Sequence, residues 1–161
     1  MFTADETGVY ARVEASPARR FFAITVLFGL GALFLYYGLV EPLPVKWMIV
    51  TLALGGMTLW WAEKLRRATR ATIELTEEEL RDTSGKVLAR IEDIRAVERG
   101  ALSFKPSNGF SLVLSAPQPR SWSPGLWWRI GRRVGVGGVT SGGQAKFMAE
   151  QIAFRLSQRE S

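Results

Sequence analysis

The residue types best suited to binding chemistry are concentrated between positions 120 and 133, within a stretch from 117 to 138 that has no acidic residue. Tryptophan settles at membrane interfaces, arginine attracts anionic lipid, and both residue types are enriched in protein-binding hot spots. This pattern predicts a surface for a partner protein or for anionic phospholipid. The alternative is that the tryptophans fill a sheet core and the arginines form a solvated face. The candidate residues are Trp122, Trp127, Trp128, Arg129, Arg132 and Arg133.

The composition is unfavourable for most catalytic and metal chemistry. Cysteine and histidine are both absent, which removes thiol nucleophiles, the usual zinc ligands and the commonest general base. The adjacent acids at 77–79 and 92–93 have no histidine partner, so they are interpreted as solvated turns. The glycines at 135–138 lack the Gly-Lys-Ser/Thr ending of a phosphate loop and are interpreted as a flexible connector. We therefore predict no catalytic residue, no metal site and no cofactor, and a protein that is not an enzyme.

Two long uncharged runs predict membrane-spanning helices at about 21–40 and 45–64. Phe21–Val40 carries no charge, and at about 1.5 Å per residue it spans roughly the 30 Å hydrocarbon core. The second run, Trp47–Ala62, reaches a full span with the residues before it and the stem of Lys64. The short turn between them contains two prolines, so residues 21–68 form an antiparallel hairpin that is not a cleaved signal peptide. Neither uncharged run, 21–40 or 47–62, contains an acidic or basic residue, which argues against a pump, channel or transporter.

Charges and aromatic residues at the ends of the spans predict their orientation. Basic residues flank the start of the first helix and the end of the second, so the positive-inside bias places both termini in the cytoplasm. The net charge of +6 would suit nucleic acid, but the cations adjoin the predicted membrane surface, so no nucleic-acid partner is predicted. The predicted interface anchors are Arg19, Arg20, Tyr36, Tyr37, Trp47, Trp60, Trp61, Lys64, Arg66 and Arg67.

Small residues spaced four apart predict where the two helices approach each other. Thr25 with Gly29, and Thr51 with Gly55, would let backbones come close, in contact with the other helix or with another membrane protein. The alternative is that glycine and threonine are simply common in membrane helices.

After Arg70 the pattern changes to short alternating strands. Residues 1–20 are treated as a cytoplasmic N-terminal segment, and 71–161 as one domain. Predicted strands cover 71–75, 79–82, 86–90 and 95–98, with a short crossing at 91–94. Strands at 102–105 and 110–115 are predicted to form a hairpin around Asn108-Gly109, which supplies the positive φ angles of a tight turn. Residues 144–159 predict an amphipathic closing helix.

These elements resemble the bacterial pleckstrin-homology-like domains of small inner-membrane proteins. The residues that carry the resemblance are Ile73–Thr76, Gly85–Val87, the crossing Ile91–Ile94 before Arg95–Val97, and the final helix. The resemblance implies a membrane α-hairpin plus an α+β domain, with a bent antiparallel sheet capped by the C-terminal helix. It also implies a multi-pass protein of the bacterial inner membrane and a binding or scaffolding role. The stretch 120–133 is longer than a minimal domain of this kind needs, so its strand pairing is left unassigned.

Two functions fit this architecture. In the first, a non-enzymatic accessory or assembly protein packs its hairpin against a larger membrane protein complex, or against another copy, and docks its domain through the tryptophan- and arginine-rich segment. In the second, the same segment binds or senses anionic phospholipid.

Overall fold

The chain folds as two compact units. The computed structural model describes residues 3–98 and 106–159. The hairpin unit is Pro17–Arg67, and the α+β unit combines the segments on either side of it, Met1–Ser16 and Ala68–Ser161. The hairpin is therefore inserted into the sequence of the α+β unit.

The hairpin unit contains helix α1, Pro17–Val40, and helix α2, Val45–Ala68. Proline at the first position of α1 loses no helical hydrogen bond there, and the prolines between the helices prevent them from merging. Both helices are long and apolar enough to cross a membrane. The predicted spans lie within them. In the structure α1 begins four residues before the uncharged run, and α2 extends through the basic residues to Ala68.

The helices approach each other at glycines on one face of each helix. A Cβ atom at Gly31 would lie 2.6 Å from Leu59 Cδ2, and one at Gly55 would lie 2.9 Å from Leu35 Cδ2. Thr51 also lies in this interface, since its hydroxyl would be 2.9 Å from a Cβ atom at Gly38. A Cβ atom at Gly29 would meet nothing within 4 Å. Thr51 and Gly55 therefore lie where their spacing predicts.

Thr25 and Gly29 are exposed instead of packed against α2. Two residues correspond to about 200° of helix rotation, so Gly29 faces away from the side that carries Gly31 and Gly38. Spacing within one helix identifies residues that share a face, but it does not identify which face meets the neighbour.

We expect Gly31→Leu to destabilise the hairpin, because the added side chain would overlap Leu59 and force the helices apart. Overpacking of this kind costs about 1–3 kcal/mol. Thermal unfolding of the full chain in detergent micelles, followed by circular dichroism, should show a lower midpoint. Gly29→Leu is the matched control, because it makes the same change where there is open space. Equal midpoints for the two variants would contradict this packing.

The α+β unit contains two antiparallel sheets and one helix. The first sheet has the order β1-β2-β3-β4, and the second has the order β5-β6-β7. A single turn of 3-10 helix, Ile91–Asp93, joins them. The strands are β1 Ala11–Val13, β2 Ile73–Leu75, β3 Glu79–Asp82, β4 Val87–Arg90, β5 Ile94–Glu98, β6 Phe110–Ser123 and β7 Trp127–Val136, and the helix is α3 Gly142–Arg159.

Strand β1 corrects the predicted domain boundary. The predicted boundaries separate residues 1–20 from a domain that begins at 71, but β1 pairs with β2 in register Val13↔Ile73. Ala11 and Val13 are buried, while Arg12 between them points outward and pairs with Glu74 at 3.6 Å. The strand has only three residues, too few for alternation to be recognised in the sequence. A fragment that begins at 71 would therefore lack one strand and its two core side chains.

Most of the other predicted elements are confirmed. The strands at 73–75, 79–82, 87–90 and 94–98, the crossing at 91–93 and the final helix all form. Helix α3 buries Ala145, Met148, Ala149 and Ile152 in the same core as the strands. Residues 102–105 lie outside the described part of the chain. The finer comparison with a pleckstrin-homology-like sheet stays a prediction.

The loop before β1 is organised by Asp5. Its carboxylate accepts hydrogen bonds from the backbone N–H groups of Thr7 and Val9, at 2.9 and 3.0 Å, and from the Thr7 hydroxyl. Arg12 lies 2.8 Å from its other oxygen. The Thr7 hydroxyl, followed by the Val9 N–H, holds the pKa of Asp5 below its ordinary value of 3.8.

This lowered pKa predicts a stabilisation of the loop that depends on pH. Because the folded pKa is below the unfolded one, the contribution is present above the ordinary value of 3.8 and is lost as pH falls through the folded pKa. Carboxylate NMR titration should show Asp5 titrating below 3.8. Thr7→Val, which removes the hydroxyl, should move its pKa upward. An unchanged Asp5 titration in Thr7→Val would contradict the assigned cause.

Candidate functional site

The tryptophan- and arginine-rich segment folds as a β-hairpin made by the ends of β6 and β7. Trp122 lies opposite Trp128, and Ser123 lies opposite Trp127. The turn between them is closed by the Leu126 N–H, which donates to the Ser123 carbonyl at 3.1 Å. Gly125 has a φ of 76°, a conformation that glycine adopts without strain. The pairing that the sequence left unassigned is therefore a hairpin.

The hairpin bends sharply in its middle. Between the pairs Val113↔Arg133 and Gln118↔Gly131, β6 contains four residues and β7 contains one. Such a bulge bends the strand pair and allows β6 to contain proline, which cannot donate to the ladder. Gly131 has a φ of 57°, which supplies the turn in β7. As a result, the Trp128 indole lies against the bare backbone of Gly135, where a Cβ atom would overlap the ring.

Trp127 lies on the inner face of the hairpin and belongs to the core. It is 2% exposed, and its indole N–H donates to Asp82 Oδ2 at 2.9 Å. Asp82 is itself 1% exposed, and its other oxygen accepts the backbone N–H groups of Ser84 and Lys86 at 2.9 and 3.1 Å. The contact joins β7 to β3 and so connects the two sheets. Trp127 is not accessible to a partner or a lipid.

Arg129 connects the hairpin to the edge of the first sheet. Its Nη1 donates to the carbonyls of Val87 and Leu88 in β4, at 2.8 and 3.1 Å. Its Nε donates to the carbonyl of Pro119 at 2.9 Å. These bonds satisfy carbonyl groups at a sheet edge, so most of the guanidinium is committed to the fold.

Arg133 also has an internal partner. Its Nη1 lies 3.1 Å from Glu98 Oε2, across the second sheet. Three of the six candidate residues, Trp127, Arg129 and Arg133, are therefore engaged by the domain itself, and Trp128 packs on Gly135.

The remaining side chains form an exposed surface, the outer hairpin surface, which consists of Arg120, Trp122, Ile130 and Arg132. Trp122 is 39% exposed and Ile130 is 54% exposed. The sequence analysis did not select Arg120 or Ile130. Strand alternation on either side of the tip could have identified both, had the pairing been known, because side chains two residues apart share a face.

The acidic run at 77–79, interpreted from the sequence as a solvated turn, lies at the edge of a groove. Glu77, Glu78 and Glu79 line an open groove of about 400 Å³ together with Arg90 and Arg159. Within residues 3–98 and 106–159, no group of three or more acidic side chains is placed to hold a metal ion.

The connector at 135–138 is held by hydrogen bonds. The N–H of Gly137 donates to Leu126 and that of Gly138 to Ser107, at 2.7 and 2.8 Å. It is therefore a fixed return from β7 to α3.

The predicted membrane anchors lie at the ends of the two helices. Tyr36, Tyr37, Trp47 and Trp60 are exposed, as side chains in contact with lipid would be. The Lys64 ammonium lies 4.7 Å from the ring centroid of Trp60. Arg19 is exposed, Arg20 and Lys64 are half-buried, and Arg66 and Arg67 both pair with Glu63.

With this geometry defined, the chain was compared with known proteins. No family model, no curated protein and no solved structure matches it.

We expect Trp127→Phe to destabilise the α+β unit, because it removes the donor to a buried carboxylate without emptying the aromatic site. An unsatisfied buried acceptor costs about 1–3 kcal/mol. The measurement is chemical denaturation of the full chain in micelles. Trp122→Phe, an equivalent change at an exposed position, should alter stability by no more than about 0.5 kcal/mol. Equal effects of the two substitutions would show that the bond to Asp82 contributes nothing.

Proposed function

We propose that this protein is a membrane-anchored accessory or assembly protein that docks on a larger membrane protein complex. Helices α1 and α2 pack its hairpin against that complex within the bilayer, and the outer hairpin surface binds the complex outside it. The observation that carries the proposal is the exposure of Trp122 and Ile130, together with Arg120 and Arg132, on the β6–β7 hairpin.

The composition of this surface fits a protein partner. Tryptophan and arginine are the residues that most often dominate the binding energy of protein interfaces, with energetically minor contacts around them. Trp122 presents a large area with little side-chain entropy to lose, and Ile130 adds apolar surface next to it. Both stand on a strand pair pinned by Arg129 and by the Trp127 bond, so the surface is preorganised, which lowers the cost of binding.

Membrane anchoring makes a modest surface sufficient. A domain confined near its target by a hairpin in the same bilayer binds at a high effective concentration. A patch of four side chains would be small for a soluble complex, but it can fix the position of a tethered domain. This argument applies to a partner that is itself a membrane protein.

The proposal is tested by purifying the tagged full chain from its native membrane in mild detergent and identifying by mass spectrometry what accompanies it. We expect a companion in fixed ratio, and its loss in the double variant Trp122→Ser/Ile130→Ser. Phe147→Ser, which removes an exposed aromatic side chain of α3 that is 44% exposed, is the control and should keep the companion. Recovery of the wild-type chain alone, or retention of the companion by the double variant, would overturn the proposal.

Anionic lipid at the same surface is the second candidate, favoured by the cations Arg120 and Arg132 beside Trp122. It predicts a different result in the same experiment, since the chain would be recovered without a protein companion. Retention of anionic lipid in detergent would then be compared between the full chain and its Trp122→Ser/Ile130→Ser variant, because a fragment beginning at 71 lacks β1.

A further inference from the structure

The two exposed cations of the outer hairpin surface each lie close in sequence to one of its apolar side chains. Arg120 is two residues from Trp122 on β6, and Arg132 is two residues from Ile130 on β7. Both strands carry these residues towards the turn end of the hairpin, where Trp122 lies opposite Trp128. The surface therefore combines an apolar part with one guanidinium group from each strand.

No acidic side chain in the described part of the chain pairs with these two cations. The segment 117–138 contains no acidic residue. The neighbouring Arg133 has Glu98 as its ion-pair partner at 3.1 Å. The side chains of Arg120 and Arg132 are exposed, and within the described residues neither makes a hydrogen bond or an ion pair. Both guanidinium groups are therefore available to a carboxylate outside the chain.

The basic residues of this segment are all arginine. Between 117 and 138 the sequence has four arginines and no lysine. Arginine presents a planar fork of N–H groups that binds both oxygens of a carboxylate, and protein interfaces are enriched in arginine and depleted in lysine. Attraction to an anionic bilayer, in contrast, comes from either residue type. The choice of residue therefore favours a protein that carries carboxylates over a lipid surface.

We propose that the partner of the outer hairpin surface is a protein whose docking site is acidic, with carboxylates placed around an apolar pocket. The pocket receives Trp122 and Ile130, and the carboxylates pair with Arg120 and Arg132. In such an interface the apolar contacts supply most of the affinity, while charge complementarity excludes other proteins and speeds the encounter. This inference rests on the proposed function, and it adds the chemical class of the partner and a separate role for the two arginines.

The test is the same mild-detergent purification of the tagged full chain, at about 0.1 M and about 1 M salt, between which the screening length falls from about 10 Å to about 3 Å. The ratio of companion to wild-type chain should fall at the higher salt concentration. At the lower one, Arg120→Glu/Arg132→Glu should reduce this ratio by about tenfold or more, because like charges would then face each other.

A second variant reads out the carboxylates directly. Arg120→Lys/Arg132→Lys keeps both charges, so it should retain more companion than the glutamate variant does. It also supplies amines at these two positions, and a carbodiimide joins an amine to a carboxylate with loss of water. We expect mass spectrometry to find crosslinks from position 120 or 132 to aspartate or glutamate side chains of the companion.

The matched control is Arg95→Glu/Lys146→Glu, which makes the same change in net charge at exposed positions on β5 and α3. It should keep the companion, as the wild-type chain does. Retention of the companion by Arg120→Glu/Arg132→Glu, or an equal loss in the control pair, would overturn an acidic partner.

Failure of this inference differs from failure of the proposed function. A companion that is lost in Trp122→Ser/Ile130→Ser but retained by the charge-reversed variant would leave the docking surface in place and exclude an acidic partner. Recovery of the wild-type chain with anionic lipid alone, or only with further copies of itself, would overturn both. Circular dichroism in the same micelles checks the fold of the charge-reversed variant. If that variant is unstable, the absence of carbodiimide crosslinks from Arg120→Lys/Arg132→Lys to the companion would overturn the inference.

Discussion

The hydrogen bond between the Trp127 indole and the Asp82 carboxylate is the contact on which the rest of the α+β unit depends. Asp82 ends β3 in the first sheet and Trp127 begins β7 in the second, and both are almost fully buried. A buried carboxylate is tolerated only where its oxygens are hydrogen-bonded, and the turn after β3 supplies the other donors from Ser84 and Lys86. The same bond lies at the turn end of the β6–β7 hairpin, where Trp127 pairs with Ser123, so it holds this end of the hairpin against the first sheet.

That joint also determines which arginines and tryptophans of the hairpin are exposed. The inner side of the hairpin is occupied by Trp127 and by Arg129, whose bonds to the β4 carbonyls satisfy the edge of the first sheet. Strand alternation then leaves Trp122 and Ile130 on the outer side. An apparently uniform basic aromatic segment thus divides into a structural half and an exposed half. Tryptophan and arginine occur in both halves, so residue type does not distinguish the structural half from the exposed half, and only the fold does.

The helices and most of the strands were predicted from the sequence, but the pairing between strands was not. Uncharged runs gave α1 and α2, and alternation gave β2 to β5, because these signals are local. Strand β1 was missed because three residues show no measurable period, although Val13 is completely buried. The β6–β7 pairing was missed because its register shifts place prolines inside a strand, and because Gly131 gives β7 a positive φ in its middle. Which side of the tryptophan- and arginine-rich segment is exposed did not follow from the sequence, since the decisive contact, from Trp127 to Asp82, spans 45 residues.

Arginines at the basic end of the hairpin unit also make contacts within their own unit. Arg66 and Arg67 are held by Glu63, which keeps the end of α2 in place, while Arg20 across from them gives one N–H to the Arg66 carbonyl and has another without an acceptor. A cation that also stabilises the C-terminal end of α2 is favoured there by the helix dipole. In both units, therefore, basic residues stabilise the fold through contacts within their own unit.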